Sequence, residues 1–337
     1  MVERLVVFTE REQGPVCGFD EELIRQNGGN VRFTKARDEK ERLRMTAAAD
    51  VIIVGGAWMT RDFLGALPNL KGIVRLGIGV DTVDLDAATD LGVVVANIPI
   101  FCDDEVAEHA LALMFAVMRK VVVADRKTRK GEWVVGIQDS FRPMRRISGQ
   151  TLGLIGLGNI GQSMAAKSKG LGLKVIAYDP YANAEAARAS GVPLMSLEEM
   201  LPQTDILSLH VPATPETKNL VNARTLALLK PGAILVNTAR GTVVDETALV
   251  AALKSGHLAG AGLDVLQHEP IRLPHPLTEF DNVVLTCHYG SLSEQAYASM
   301  RRQGSDQAAQ MIRGEFPTNV VNRKVMDLPQ CRLRPAK

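Results

Sequence analysis

The chain has 337 residues, with 39 Lys or Arg against 38 Asp or Glu and a formal net charge of +1. That length accommodates two domains, each able to bury its own core, and the near balance of charge excludes a global field for nucleic acid or membrane binding. Cys17, Cys102, Cys287 and Cys331 stand apart without CxxC spacing, which disfavours a disulfide framework or a zinc site, predicts no bound metal and suits the reducing cytoplasm.

The first residues, Met1 to Arg4, include an acid and lead only into a short apolar run, so no secretory signal is expected. Apolar runs at Leu5–Phe8, Val31–Phe33, Val51–Val54, Gly72–Arg75 and Val93–Ala96 predict strands. They alternate with predicted helices near Glu21–Arg25, Lys40–Met45 and Asp84–Thr89, the pattern of a parallel sheet with helical crossovers. The segment Arg75-Leu-Gly-Ile-Gly-Val-Asp81 also follows a strand, but it lacks a third glycine and a following acidic strand end, so it is not a second dinucleotide site.

Asn97-Ile-Pro99 breaks this pattern. Asp103-Asp-Glu105 then opens a long helix with Arg119 and Lys120 further along, the charge order that the helix dipole favours. Its apolar stretch, Ala110 to Met118, is too short to span a bilayer. Nine basic residues face three acids between Arg119 and Arg146, read as the solvated face of a helix and a loop.

The run Thr151-Leu-Gly-Leu-Ile-Gly156-Leu-Gly158-Asn-Ile-Gly161, followed by Lys174–Asp179, predicts a nucleotide site. Gly156 permits the tight turn, Gly158 lets a pyrophosphate approach the backbone, and Gly161 lets the helix lie close to the strand. The phosphates would meet unpaired N–H groups at the helix N-terminus. Asp179, about 20 positions beyond the turn, should accept hydrogen bonds from the adenine ribose and repel a 2′-phosphate. Pro180, Tyr181, Ala182 and Asn183 supply no cation to bind one, so the predicted cofactor is NAD.

Further strands are expected at Ile206–His210, Ala233–Asn237, Gly260–Leu263 and Val283–Thr286, completing the strand count of a dinucleotide fold. A helix from Glu294 to Arg313 is long enough to pack back on the first domain. The expectation is therefore an α/β chain of two parallel-sheet, Rossmann-like domains with an interdomain cleft for a small substrate. Residues 1–98 plus 292–337 form a discontinuous substrate domain, and 99–291 the nucleotide domain. Asn322 to Lys337, with two prolines and five basic residues, shows no clear periodicity and is expected to be a loose tail.

Hydride transfer to a keto acid needs a cation for the carboxylate and carbonyl, a proton donor and a group to tune that donor. Arg240 ends a strand at the edge where open α/β sheets place ligands, and a guanidinium can grip a carboxylate in a bidentate fork. His288 ends another strand, and Glu269 can hydrogen-bond its imidazole and favour the charged form. On these grounds His268, beside Glu269, remains a rival. His109, inside an apolar helix, reads as packed, and His257 and His275 lie in ordinary loops. The loop Gly55-Gly-Ala-Trp58-Met59 is expected to face the substrate, where Trp58 and Met59 suit an apolar or bulky side group.

Gly156–Gly161, Leu235–Asp245, Ala259–Pro270 and Thr286-Cys-His288, taken in order, resemble the D-isomer-specific 2-hydroxyacid dehydrogenases over nearly the full chain. Arg75–Asp81, Cys102–Ala110 and Tyr178–Tyr181 look most like the branch containing the C-terminal-binding proteins and their bacterial dehydrogenase relatives. The resemblance implies that Arg240, Glu269 and His288 are the catalytic residues, which disfavours His268. It implies a carboxylate cradle at the N–H groups of Ile78 and Gly79. For the cofactor it implies Asn159 and Ile160 at the pyrophosphate, His210, Val211, Pro212 and Thr217 around the adenosine, and Thr238, Ala239, Asp264 and Gly290 toward the nicotinamide. It also implies a homodimer paired through an arm at about 103–149.

Two departures stand out. Cys287 replaces the family's usual proline before the histidine and reads as a small buried residue, and Ser291 stands where the C-terminal-binding proteins carry tryptophan, so their substrate preference does not transfer. The leading reading is NAD-linked interconversion of a 2-keto acid and a D-2-hydroxy acid. The alternative is an NAD(H)-sensing protein-binding module like the corepressor relatives, disfavoured by the missing tryptophan and the lack of a long recruiting extension. Glu269 speaks against formate dehydrogenases, which lack that partner.

Overall fold

The computed structural model describes residues 4–9, 19–133, 141–182 and 184–333. Cys17, Asn183 and part of the expected arm, 134–140, lie outside the described residues. The chain divides into two compact units, Met1–Phe101 with Ser293–Lys337, and Cys102–Leu292. The chain thus leaves the first unit and returns to it, crossing within a few residues of Pro99 and Ser291.

The first unit contains β1 (Arg4–Phe8), α1 (Glu21–Gln26), β2 (Gly29–Phe33), α2 (Glu39–Thr46), β3 (Val51–Val54), α3 (Arg61–Gly65), β4 (Gly72–Arg75), α4 (Leu85–Asp90) and β5 (Val94–Asn97). Its sheet is wholly parallel with the order β2-β1-β3-β4-β5. Every residue of Val51-Ile-Ile-Val54 is buried, as expected of a central parallel strand covered by helices on both faces. Asp20, Asp38 and Asp84 accept hydrogen bonds from the first-turn N–H groups of α1, α2 and α4, which marks the helix starts in the sequence.

The second unit contains α5 (Asp103–Met118), α6 (Val121–Arg129), β6 (Thr151–Ile155), α7 (Asn159–Gly170), β7 (Lys174–Tyr178), α8 (Ala184–Ser190), α9 (Leu197–Met200), β8 (Ile206–Leu209), α10 (Ala223–Leu228), β9 (Ala233–Asn237), α11 (Glu246–Lys254), β10 (Leu258–Leu263) and β11 (Val283–Leu285). The strands are again all parallel, in the order β11-β10-β9-β8-β6-β7. A single bridge from Ala177 to Leu194 lies beyond β7, a vestigial outer strand. Strand order reverses at β6, and the crevice beyond the ends of β6 and β8 is where such sheets place ligands.

The tail expectation is corrected. After α12 (Glu294–Arg313) the chain runs antiparallel along β5, with a bridge from Val320 to Ala96 and a hydrogen bond from Val321 N to Val95 O of 2.8 Å. Asn322 completes this edge, because its Oδ1 accepts from Val95 N at 2.8 Å and its Nδ2 donates to Val93 O at 2.9 Å. Beyond it, Val325, Cys331 and Leu333 are buried, and Arg332 Nη1 donates to Leu67 O at 2.9 Å and to Leu70 O at 3.1 Å. The segment shows no periodicity because it covers an edge strand, whose exposed N–H and C=O groups otherwise invite pairing with other chains. The last four residues, 334–337, lie outside the described residues.

Asn322→Ala should therefore lower the unfolding free energy by about 1–3 kcal/mol, the cost of stranding buried backbone partners. Urea unfolding checks this, and no change would restore the loose tail.

Candidate active site

In the first unit, the turn after β4 carries Ile78 and Gly79. Asn97 Nδ2 donates to Ile78 O at 2.7 Å and fixes the turn. No backbone hydrogen bond occupies the N–H of Ile78 or Gly79 among the described residues, so these donors remain available to an anion. Trp58 is 61% exposed, whereas Met59 is 0% exposed and belongs to the apolar layer with Phe63, Leu64 and Val83. Met59 is thus reassigned from substrate contact to packing. Its N–H donates to Thr82 O at 2.7 Å, and this pairing turns its side chain into the core.

In the second unit, β6 ends at a turn that only glycine can form. Gly156 has φ of +96°, and a Cβ there would fall 2.3 Å from His210 O. A Cβ on Gly161 would fall 2.3 Å from Gly156 O, so the first turn of α7 rests on the strand end. Gly158 differs, since a Cβ there would meet no protein atom within 4 Å. Gly158 also offers no side chain to cap α7, leaving the leading N–H groups at Asn159, Ile160 and Gly161 for an anion.

Asp179 ends β7 and reaches back to this turn. Its Oδ2 accepts from Leu157 N at 2.8 Å and its Oδ1 from Tyr181 N at 2.9 Å. Each oxygen keeps a lone pair for a ribose hydroxyl. Across the turn, His210 Nε2 pairs with Ser208 Oγ at 2.9 Å while its buried Nδ1 has no protein partner. Burial pushes the imidazole down to about 4, so it is neutral near pH 7. The following turn, through Val211 and Pro212, is closed by Thr217 Oγ1, which donates to Pro212 O at 2.6 Å. The open surface at Gly158 and the unpartnered His210 Nδ1 fit a dinucleotide. Among the described residues, no cluster of three His, Cys, Asp or Glu is placed to hold a metal ion.

At the other end of the crevice, Asn237 shapes the turn after β9. Its Oδ1 accepts from Ala239 N at 3.0 Å and its Nδ2 donates to Arg240 O at 3.0 Å. Thr238 Oγ1 is buried without a protein partner. Arg240 Nη1 donates to Ala239 O at 2.7 Å. A Cβ on Gly241 would fall 1.9 Å from the Leu266 carbonyl carbon, so this glycine lets the Arg240 turn abut the loop that carries Glu269.

Glu269 Oε2 lies 2.6 Å from His288 Nδ1. Partial burial works against the Glu269 charge, but hydrogen bonds from His288 and Leu266 N, with the positive charges of His288 and Arg240, hold the carboxyl below the ordinary range. His268 is exposed, and Glu269 is committed to His288 instead. His288 has φ of +54°, unusual for a residue with a side chain.

Asp264 holds that conformation. Its main-chain oxygen accepts from His288 N at 2.8 Å, Oδ1 from Tyr289 N at 3.1 Å and Oδ2 from Gly290 N at 2.8 Å. Thr286 Oγ1 donates to Oδ1 at 2.6 Å. Burial opposes ionisation of Asp264, but donors from His109, Thr286, Gly290 and Tyr289 hold it down at about 2. Sequence reasoning assigned Asp264 and Gly290 to the cofactor and missed that they are bonded to each other. It also dismissed His109, whose one available signal is an imidazole within an otherwise apolar helix face, where a buried polar group needs a partner. Cys287 is exposed, not buried, because it points away from the core on the loop after β11.

Residues 111–290 match the description "D-isomer specific 2-hydroxyacid dehydrogenase, NAD binding domain". Over 312 residues the chain is 38% identical to D-3-phosphoglycerate dehydrogenase of Methanocaldococcus jannaschii, covering 92% of this chain and 58% of that protein. It therefore spans just over half the length of that relative. Over 261 residues it is 39% identical to glyoxylate reductase of Korarchaeum cryptofilum, covering 77% of this chain and 79% of that one. A solved D-lactate dehydrogenase from Aquifex aeolicus, complexed with NAD and lactic acid, superposes with a TM-score of 0.84 at 29% identity, covering 94% of this chain and 99% of that one. By the match over residues 111–290 and by 39% identity to a relative of which it covers 79%, the chain belongs to the D-isomer-specific 2-hydroxyacid dehydrogenase family.

Proposed function

We propose that this chain is an NAD-dependent D-2-hydroxyacid dehydrogenase that interconverts a 2-keto acid and a D-2-hydroxy acid. The observation that carries the reading is the 2.6 Å contact between His288 and Glu269, with the Arg240 charge acting on the same carboxylate. An ionised carboxylate can only accept, so Nδ1 of His288 carries a hydrogen and Nε2 is the atom that exchanges a proton with substrate. The reduced nicotinamide, when bound, supplies the hydride. Arg240 binds the substrate carboxylate and polarises the adjacent carbonyl, and His288 Nε2 gives its proton to the oxygen as an alcohol forms. Taken by itself, the first unit offers the N–H groups of Ile78 and Gly79 as carboxylate donors and the exposed Trp58 as a contact for an apolar side group.

The cofactor contacts are Gly156, Gly158, Asn159, Ile160 and Gly161 at the pyrophosphate, Asp179 at the ribose, and His210, Val211, Pro212 and Thr217 at the adenosine. Thr238, with its unpartnered hydroxyl, and Ala239 border the nicotinamide. The active species is a homodimer paired through the segment 103–149, in which Val121, Trp133 and Met144 are exposed apolar groups needing cover. A cytoplasmic setting is supported by Cys102 and Cys287, which stand as free thiols among the described residues. Among the described residues, no helix is long and apolar enough to cross a membrane.

Five outcomes are expected. Wild-type protein should bind NADH more tightly than NADPH, and Asp179→Ala should erode that preference; equal dissociation constants in the wild type would remove the assignment. In a panel of 2-keto acids with NADH, His288→Ala should slow turnover by about 10²-fold or more, the scale for losing a positioned acid. Arg240→Ala should impair both kcat and KM, and Arg240→Lys should restore charge without the bidentate fork. Glu269→Gln removes the carboxylate that accepts from His288 Nδ1, so kcat for keto-acid reduction should fall. An unchanged kcat, measured where chemistry limits the rate, would defeat the coupling. Light scattering should give twice the chain mass, and a monomer at assay concentration would exclude the dimer.

A further inference from the structure

One polar side chain of α5 enters the second unit's crevice without a role in the chemistry above. His109 Nε2 lies 3.0 Å from Thr286 Oγ1 and 3.4 Å from Asp264 Oδ1, and its ring packs on Tyr289 with centroids 4.8 Å apart. The side chain is largely buried.

The way α5 sits on β10 explains how His109 gets there. A Cβ on Gly260 would fall 2.8 Å from Val117 Cγ1, and one on Gly262 would fall 2.8 Å from Leu113 Cβ. The two glycines thus let the helix lie directly on the strand. Positions 260, 262 and 264 share one face of the strand direction, and 117, 113 and 109 follow one side of the helix in reverse. Two strand residues advance about 6.6 Å and four helix residues about 6 Å, so the steps stay in register. The third pair in that register is His109 with Asp264.

The hydrogen positions follow from donor counting. Thr286 Oγ1 has one hydrogen, and at 2.6 Å it is given to Asp264 Oδ1, which is ionised and can only accept. Toward His109 the hydroxyl must therefore accept, so Nε2 of His109 carries a hydrogen. That N–H is shared between Thr286 Oγ1 and Asp264 Oδ1.

We propose that His109 is a positioning residue for His288, acting through Thr286 and Asp264, given that His288 is the proton donor. Asp264 binds three consecutive N–H groups, those of His288, Tyr289 and Gly290. With its hydrogen bond to this carboxylate and Thr286, His109 fixes the angle at which the carboxylate meets the N–H groups of Tyr289 and Gly290, next to the His288 N–H held by the Asp264 main-chain oxygen. It thereby fixes the left-handed backbone that aims the His288 imidazole. Because His109 meets the network from α5, the helix that packs on β10 sets the orientation of a loop it does not belong to.

His109→Phe keeps a ring against Tyr289 and removes the donor, while His109→Gln keeps an N–H donor on an unbranched side chain. Each is assayed with the wild type for kcat, for the substrate KM and for the NADH dissociation constant by fluorescence. In parallel, protein labelled with ¹³C at the histidine Cε1 is examined by NMR without cofactor or substrate, the His288 signal being identified by its loss in His288→Ala. His109→Phe should lower kcat by about 10-fold or more, the scale on which a slightly misplaced catalytic group costs rate. It should leave NADH affinity unchanged and displace the His288 signal, and His109→Gln should retain most of the rate and the wild-type signal. If His109→Phe leaves the His288 signal and kcat as in the wild type, the positioning role is wrong. It is equally wrong if NADH affinity falls in proportion to kcat, which would make His109 part of the cofactor site. Should the protein reduce no 2-keto acid, the dehydrogenase reading fails, and the His288 signal still decides whether His109 positions that loop.

Discussion

The second unit depends on how closely its loops approach at the C-terminal edge of one parallel sheet. Two backbone contacts set that spacing: Gly156 against the His210 carbonyl, and Gly241 against Leu266. Neither tolerates a Cβ without movement of main chain. The first brings the phosphate turn beside the end of β8. The second brings the Arg240 turn beside the Glu269 loop, and the charge of Arg240 is felt at that carboxylate. All six strands run the same way, so both contacts fall on one edge, and residues far apart in the chain converge without any of them leaving a strand end.

Buried polar groups make this edge rigid. Asn237 and Asp264 stand at equivalent places, at the end of β9 and just past β10; the Asn237 side chain accepts from Ala239 N in the turn that follows it, and that of Asp264 accepts from Tyr289 N and Gly290 N in the loop after β11. Both are almost wholly buried. A buried carboxylate is costly unless its oxygens are satisfied, and Asp264 is satisfied by donors drawn from the loop after β11 and from α5. The cost of burying the charge is thereby offset by hydrogen bonds that also hold His288 at positive φ. Against this fixed frame, the Thr238 hydroxyl and His210 Nδ1, buried without a protein partner, are among the polar atoms left to a ligand.

Much of this architecture was legible in the sequence, for reasons of period and spacing. Strands such as Val51–Val54 are short, wholly apolar and bounded by polar turns, and the helix over Glu294–Arg313 is bracketed by a Ser293 cap and a left-handed Gly314. The glycine turn and the acidic end of β7 are local, so their geometry follows from a few consecutive residues. Other readings failed where the partner lies far along the chain. The segment after Val320 looked structureless because its order comes from pairing with β5, more than two hundred residues earlier. Met59 reads as facing the substrate because it closes the loop that follows a glycine pair and Trp58, yet its pairing to Thr82 turns it inward. Cys287 looked buried because it follows an apolar strand, but the strand ends at Leu285.

The sequence by itself determined what the period of apolar residues and short glycine spacings can encode: two parallel α/β sheets, the return of the last helix, the nucleotide turn with Asp179, and the residue types suited to keto-acid chemistry. Read residue by residue, it left His268 as a rival of His288, one that the family resemblance disfavoured. Only the tertiary structure pairs His288 Nδ1 with the Glu269 carboxylate, at 2.6 Å across a separation of nineteen positions. It alone placed His109 beside Asp264, because that contact requires a helix seated on two glycines of a strand far along the chain. Hydrogen bonds select partners by distance and direction in space, and sequence separation carries neither.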